Sequence, residues 1–260
     1  MDFEARNIIK VQDTSKHGFE DFIVIEEPLK IVVDDSDFAT IMRTPGSDRE
    51  LVVGFMFSEG LIKDIDAIQM IAHKGVDSEN SVKLKLKDAI KTGIKDRSYE
   101  IRSSCGICGQ KKIDILIDEA GSLKRSFKVR CGDIFKMPDL MGEAQVLSKR
   151  TRGAHAAAFF TKDAKLVACF EDVGRHNALD KLIGHSLING IAMDDKVLLL
   201  SGRTSYEMMA KALRCKIGFV ASISAPSSMA VEIAIRGNIA LVGVLRGETM
   251  KIYSGSQEFI

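Results

Sequence analysis

An α/β protein in two parts is the architecture this sequence predicts: a smaller, strand-rich α+β part over residues 1–130 and an α/β part over residues 131–260. Three observations predict it. Beyond residue 155, short branched or aromatic runs alternate with stretches of helical period, as when helices pack on a sheet. Before residue 90 the strand patterns crowd together, with one helical stripe among them. At 260 residues the chain is long for one domain and short for three.

The elements follow in order. Phe22-Ile23-Val24-Ile25 and Leu29 to Val33 read as strands around Pro28, and Asp34-Asp35-Ser36-Asp37 as a polar turn. Thr44-Pro45-Gly46-Ser47-Asp48 is a loop ending in helix-capping residues. After it Leu51, Val52, Phe55 and Met56 fall at helical spacing, and Gly60 stands where a C-terminal cap belongs. Val82, Leu84 and Leu86 alternate with Lys83, Lys85 and Lys87, a strand with one wet face. Lys111 to Ile117 reads as a strand because Ile113, Ile115 and Ile117 alternate.

A helix is expected from Pro138 to about Lys149, then strands over His155 to Thr161 and Lys165 to Phe170. Asn177 to Ile188 carries Ala178, Leu179, Leu182, Ile183 and Leu187 on one helical face. Val197 to Leu200 is a buried-type strand, and Tyr206 to Arg214 a helix with Met208, Met209, Ala212 and Leu213. Gly218 to Ile223 is a strand, Pro226 to Ile235 a helix with Pro226 at its first position, and Ile239 to Leu245 a strand.

Composition narrows the class. The net charge of +1 comes from 37 basic and 36 acidic residues, which argues against a nucleic-acid partner held by overall positive charge. Five cysteines is an odd count; Cys131, Cys169 and Cys215 are isolated, which suits a reducing compartment better than a disulfide scaffold. Met1 to Asp21 lacks the apolar core of a signal peptide, and the apolar runs are too short to span a bilayer. A cytoplasmic protein without a membrane partner is the expectation.

The strongest chemical signal is Ser103-Ser104-Cys105-Gly106-Ile107-Cys108-Gly109. Thiol chemistry runs through the thiolate, and nearby cations (Arg102, Lys111 and Lys112) favour it. Such a pair serves as half a zinc site, a dithiol couple, an iron–sulfur ligand set or a carrier of persulfide sulfur. A second signal is three strand-to-helix junctions: Glu171 to Asn177, Ser201-Gly202-Arg203-Thr204-Ser205, and Ser224-Ala225-Pro226-Ser227-Ser228. In the second, Glu207 three residues after Thr204 resembles a capping box. Junctions of this kind gather along one sheet edge, where helix N-termini present free N–H groups to anions. Arg175 and Arg203 add donors suited to phosphate, and Arg246-Gly247 closes the last strand. Each serine read singly caps its helix; together the junctions point to a phosphate-bearing ligand, a nucleotide. His155 at a strand start reads as structural, whereas His176 beside Arg175 reads as a proton donor or ligand contact.

These segments resemble the FdhD/NarQ family of formate dehydrogenase accessory sulfurtransferases. The matching pieces are Met42-Arg43-Thr44-Pro45-Gly46, Gly54-Phe55-Met56-Phe57-Ser58-Glu59-Gly60, the cysteine segment, and Gly153-Ala154-His155-Ala156-Ala157-Ala158. Glu171 to Lys181, the two serine-rich junctions and Leu241 to Gly247 complete them. The resemblance implies a cytidine deaminase-like three-layer fold for residues 131–260. It also implies a sulfur carrier that takes persulfide sulfur from a cysteine desulfurase and passes it to bis-molybdopterin guanine dinucleotide (molybdenum or tungsten) for formate dehydrogenase. Cys105 is then the persulfide site with Cys108 assisting. Val244, Leu245, Arg246, Gly247, Glu248 and Thr249 form the guanine dinucleotide site, supplemented by Arg203, Ser201, Arg175 and His176. Val244 stands where the family more often has an aromatic residue. A non-catalytic cofactor chaperone is the rival reading, and a symmetric dimer is the base-rate expectation.

Other chemistries fit less well. A zinc deaminase needs His-x-Glu before Pro-Cys-x-x-Cys, but Ala156-Ala157 follows His155, and the cysteine pair lies upstream without a proline. A structural zinc site lacks its second cysteine pair and would have to be completed by His155 and His176. Iron–sulfur ligation would have to recruit isolated cysteines whose apolar neighbours read as core. A thioredoxin-like couple should open a helix, which a strand at Lys111 to Ile117 would deny it.

Overall fold

The computed structural model describes residues 2–73, 80–87, 109–125 and 127–260. The chain opens with an antiparallel hairpin of β1 (Phe3–Gln12) and β2 (Ser15–Val24). Of this hairpin the sequence shows only the end of β2, because most of the ribbon is wet on both faces and carries no one-sided apolar period.

A four-stranded sheet follows in the order β4-β3-β6-β5, built from β3 (Glu27–Val33), β4 (Ser36–Arg43), β5 (Ile68–His73) and β6 (Ser81–Leu86). Asp34 and Asp35 join β3 to β4, both at positive φ (47° and 67°), as a tight two-residue hairpin turn requires. Helix α1 (Asp48–Ser58) packs Leu51, Val52, Phe55 and Met56 against this sheet. It ends as expected: Gly60 takes φ 72°, its N–H donates to the Phe57 carbonyl, and the Leu61 N–H reaches back to Met56.

The larger sheet has the order β12-β11-β10-β9-β7-β8. Its strands are β7 (His155–Phe160), β8 (Leu166–Asp172), β9 (Val197–Leu200), β10 (Phe219–Ser222), β11 (Ala240–Arg246) and β12 (Thr249–Ser254). Strands β9, β10 and β11 run parallel; β7 is antiparallel to β8 and β9, and β12 to β11. Side chains alternate between two cores. Leu198, Leu200, Val220 and Leu241 face α2 (Gly109–Ala120), α5 (Arg175–Ile188), α6 (Tyr206–Arg214) and α7 (Ser228–Arg236). Val197, Leu199, Phe219 and Val242 face α3 (Cys131–Ala144) through Ile134, Met137 and Met141. A fourth short helix, α4 (Val146–Thr151), follows α3.

Four expectations need correction. Lys111 to Ile117 is helical, within α2: Ile113 and Leu116 are buried while Ile115 is 55% exposed, so the stripe that matters is spaced by three. With that strand goes the objection that no helix opens after the cysteines. Helix α3 starts at Cys131, with Pro138 inside it; burial of Ile134, Met137 and Met141 on one stripe outweighs the amide the proline removes. Helix α7 is capped by Ser227, whose Oγ accepts from Ala230 N at 3.3 Å, so Pro226 lies one residue before the cap. Helix α6 is capped at Ser205, and the Ser205 hydroxyl donates to Glu207 at 2.7 Å, so no Thr204–Glu207 capping box forms. Strand β12 is an element that the sequence reading omits.

Candidate functional site at the carboxyl edge of the larger sheet

The parallel strands β8, β9, β10 and β11 all end on one edge, and antiparallel β7 begins there with His155. The three junctions therefore meet. Thr204 and Pro226 form a backbone bridge, the Ser222 hydroxyl donates to Gly202 O at 2.8 Å, and Val244 N donates to Ser224 O at 3.0 Å. A Cβ on Gly202 would stand 3.1 Å from His155 Nδ1 and 3.5 Å from Arg175 Cδ, so the glycine lets both side chains close over the β9 end. From β11 to β7 the edge spans three strand spacings, roughly 15 Å, a length for an extended ligand rather than a single ion.

Most polar side chains of Glu171 to Lys181 are consumed internally. Glu171 accepts from Leu147 N (2.8 Å) and Ser148 N (2.7 Å), neutralising the N-terminus of α4. The buried Asp172 carboxylate accepts from Thr44 N (3.1 Å), Gly174 N (2.8 Å) and Asn177 Nδ2 (2.9 Å) and pairs with Lys181 at 2.8 Å. Lys181 also donates to Thr44 O, and Asn177 to Met42 O. Arg43, only 1% exposed, is held by Asp48, Asn80 and Glu27. Thus Met42 to Pro45 and Glu171 to Lys181 weld the first half of the chain to the second.

What remains is distinctive. Arg175 Nε, His176 Nε2 and the Thr204 hydroxyl are buried and have no hydrogen-bond partner. A buried donor left unmade costs about 1–3 kcal/mol, so these three groups mark the edge as the candidate ligand-binding site. Burial, then Arg175 and Lys211, pull the His176 pKa down to about 4 against the opposing pull of Glu207 and Glu59. Burial and Arg175 likewise lower His155. Both imidazoles are thus shifted towards the neutral form, which presents a donor and an acceptor rather than a charge.

Of the residues singled out by sequence, Arg175, His176, Ser201 and Val244 lie along this edge. Ser201 Oγ accepts from Ala156 N at 2.8 Å and lies 3.5 Å from His155 Nδ1, so its first duty is to hold β7 to β9. Arg203 is exposed. Val244, half-buried, takes φ 55° at a β-bulge, strained for a branched residue. Leu245 is buried in the core below, while Arg246, Gly247, Glu248 and Thr249 are exposed in the β11–β12 turn. Cys105 and Cys108 lie outside the described residues; Gly109, the next residue, starts α2.

Two features escaped the sequence reading. One is Thr204 as an unmade hydroxyl, since threonine before a helix reads as a cap. The other is an ion network behind His176. Lys211 Nζ contacts Asp180 Oδ1 and Oδ2 at 3.0 Å, Glu59 Oε1 at 2.6 Å and Ser58 Oγ at 2.8 Å. The signal was present: a lysine on the apolar stripe of α6, between Met208 and Leu213. Beside Glu59 a cavity of about 590 Å³ opens between α1, α2 and α6, lined by Phe57, Ile115, Leu116, Tyr206 and Arg214. Among the isolated thiols, burial and then Glu171 raise Cys169 to about 12, and burial raises Cys215 further, so both are inert packing groups. Among the described residues no cluster of His, Cys, Asp and Glu is suited to a metal ion, and no helix is long and apolar enough to cross a membrane.

Comparison with known proteins agrees in sequence and in fold. Residues 24–260 match the model of the FdhD/NarQ family. The chain is 38% identical over 264 residues to the sulfur carrier protein FdhD of Sulfurisphaera tokodaii, covering 100% of both. It is 40% identical over 248 residues to the protein of that name from Thermoplasma acidophilum, covering 92% of this chain and 87% of the relative. A crystal structure from Desulfotalea psychrophila, of a protein assigned as a formate dehydrogenase accessory protein, superposes with a TM-score of 0.79 at 20% identity, covering 99% of each chain.

Proposed function

Because the chain belongs to the FdhD/NarQ family, we propose that it carries persulfide sulfur to the guanine dinucleotide form of the molybdenum or tungsten cofactor for formate dehydrogenase. The observation that carries this reading is the Cys105-Gly106-Ile107-Cys108 pair in the sequence, within a chain whose full length matches sulfur carrier relatives. The thiolate is the form that attacks sulfur. The Cys105 thiolate attacks the outer sulfur of a desulfurase persulfide; the donor S–S bond breaks, the donor leaves as a thiolate, and Cys105 holds the sulfur. Cys108 assists or resolves.

The edge supports the second half of the reading. Arg175, His176 and Thr204 offer unmade polar groups at the starts of two helices, α5 and α6, and Arg246 to Thr249 offer an exposed turn at the end of β11. That donor set suits the phosphates of bis-molybdopterin guanine dinucleotide, here a substrate. Helices on both faces of the six-stranded sheet support a cytidine deaminase-like description of the second half. We place the reaction in the cytoplasm, as a sulfurtransferase step between cysteine desulfurase and formate dehydrogenase.

The test is intact mass after incubation with a cysteine desulfurase and cysteine, without reductant. A gain of one sulfur, lost with dithiothreitol and absent in Cys105→Ala, supports the carrier. No gain with an active desulfurase favours a cofactor chaperone. Loss of two hydrogens, with Cys105 linked to Cys108, instead identifies a dithiol couple.

A further inference from the structure

The sequence reads His155 as a structural histidine, and the fold gives it a second use. It opens β7 at the carboxyl edge, on the face of Ala157 and Phe159 that α5 and α6 cover, and it pairs in register with Asp172, three residues before Arg175. Its ring has two unlike sides. The side carrying Nδ1 is packed: a Cβ on Gly202 would stand 3.1 Å from Nδ1 and 3.2 Å from Cε1, and Ser201 Oγ lies 3.5 Å from Nδ1. Nε2 has no hydrogen-bond partner among the described residues and is not one of the sealed polar atoms, so it meets solvent. Arg175 crosses the same glycine, its Cδ 3.5 Å from that Cβ position, which sets guanidinium and imidazole side chains together.

Ser201 decides where the ring keeps its proton. A serine hydroxyl has one proton to give and lone pairs with which to accept. Ser201 Oγ already accepts from Ala156 N at 2.8 Å, and His155 Nδ1 is the acceptor within reach of its O–H. A neutral imidazole that accepts at Nδ1 carries its proton on Nε2. Burial, then Arg175, lower the His155 pKa and favour that neutral form. We propose that His155 binds the diphosphate of the ligand, with Ser201 as its positioning residue: the Ser201 hydroxyl donates to Nδ1, and Nε2–H donates to a phosphate oxygen beside Arg175. This role rests on the guanine dinucleotide reading of the edge and adds a residue to it. A neutral ring supplies an aimed N–H without a second full charge next to the guanidinium, and Ser201 acts on the ligand through His155.

Two substitutions separate a binding role from a structural one, because they keep a donor at different ends of the ring. Glutamine places its amide near the Nε2 position and asparagine near the Nδ1 position. In calorimetry, His155→Asn weakens guanosine diphosphate and inorganic pyrophosphate about fivefold or more, while His155→Gln rescues both to within about twofold of the parent. Ser201→Ala weakens both about threefold, and long-range proton–nitrogen NMR shows His155 passing from Nε2-protonated in the parent to mixed tautomers in that variant. Unchanged thermal unfolding of the two His155 variants attributes their effect to the site. A parent ring protonated on Nδ1 overturns the proposal whatever the ligand does. So does an asparagine variant that binds like the parent, or a glutamine variant as weak as the asparagine one. A parent chain that binds neither probe overturns the nucleotide reading of the edge and the role of His155 with it; binding that every variant leaves unchanged overturns the role of His155 alone. Pyrophosphate that binds where guanosine diphosphate does not, and is weakened by His155→Asn, supports the His155 contact and overturns the nucleotide as its source.

Discussion

Gly54 of α1 and Gly184 of α5 face each other across a helix crossing that has no room for a side chain at either position. A Cβ on Gly54 would stand 1.8 Å from the Asp180 carbonyl oxygen, and one on Gly184 1.9 Å from that of Glu50. Both obstacles are backbone, which cannot swing aside. This crossing joins the four-stranded sheet, through α1, to the helices of the larger sheet.

Gly54→Ala is therefore expected to destabilise the fold by about 3 kcal/mol or more, although alanine is intrinsically the better helix former by ~1 kcal/mol. Urea unfolding measures it. A change below about 1 kcal/mol would mean the helices separate freely and the weld lies elsewhere.

Lys211→Met should cost about 3–5 kcal/mol, because it strands Asp180 as a buried charge. Adding Asp180→Leu should recover much of that loss, since an apolar pair replaces an ion pair of similar volume. The comparison of single and double variants in chemical denaturation decides it; a double variant worse than the sum of its parts refutes the account.

Thr204→Val keeps the shape and removes a hydroxyl that has no partner. Stability should stay constant or rise by up to about 1 kcal/mol, while guanosine diphosphate binding weakens about fivefold. Calorimetry and thermal unfolding on one preparation read both. Lost stability with unchanged binding would show that the hydroxyl serves the fold.

His176 gives a pH signature. Its folded pKa of about 4 lies below the ordinary histidine value, mainly through burial. The unfolded chain therefore takes up a proton that the folded one refuses as pH falls from 6.5 towards 4, and stability drops through that window. His176→Gln should flatten the decline by about 1–2 kcal/mol, allowing for partial exposure. An identical decline in the variant would assign it to other groups.

Much of the larger sheet was legible in the sequence. Val197 to Leu200 and Tyr206 to Arg214 were read to the residue because burial there is unbroken: four consecutive buried residues in a strand inside the sheet, and Met208 to Leu213 on α6. Where one period imitates another the reading failed, as at Ile113, Ile115 and Ile117, whose alternation is equally a helix viewed off its stripe. The hairpin was invisible for the opposite reason: it has no buried face along most of its length.

Sequence by itself determined the family, the thiol pair and the order of the strand-to-helix junctions, because short-range spacing of chemistry-bearing residues survives without coordinates. Only the tertiary structure decided which polar groups of Glu171 to Lys181 are spent. Asp172, Asn177, Asp180 and Lys181 find partners more than 25 residues away in sequence, in β4, the loop after it, α1 or α6, while His176 and Arg175 keep unmade groups. Hydrogen-bond satisfaction is a property of three-dimensional neighbours, so no pattern along the chain separates a residue that welds the fold from one whose polar group stays unmade.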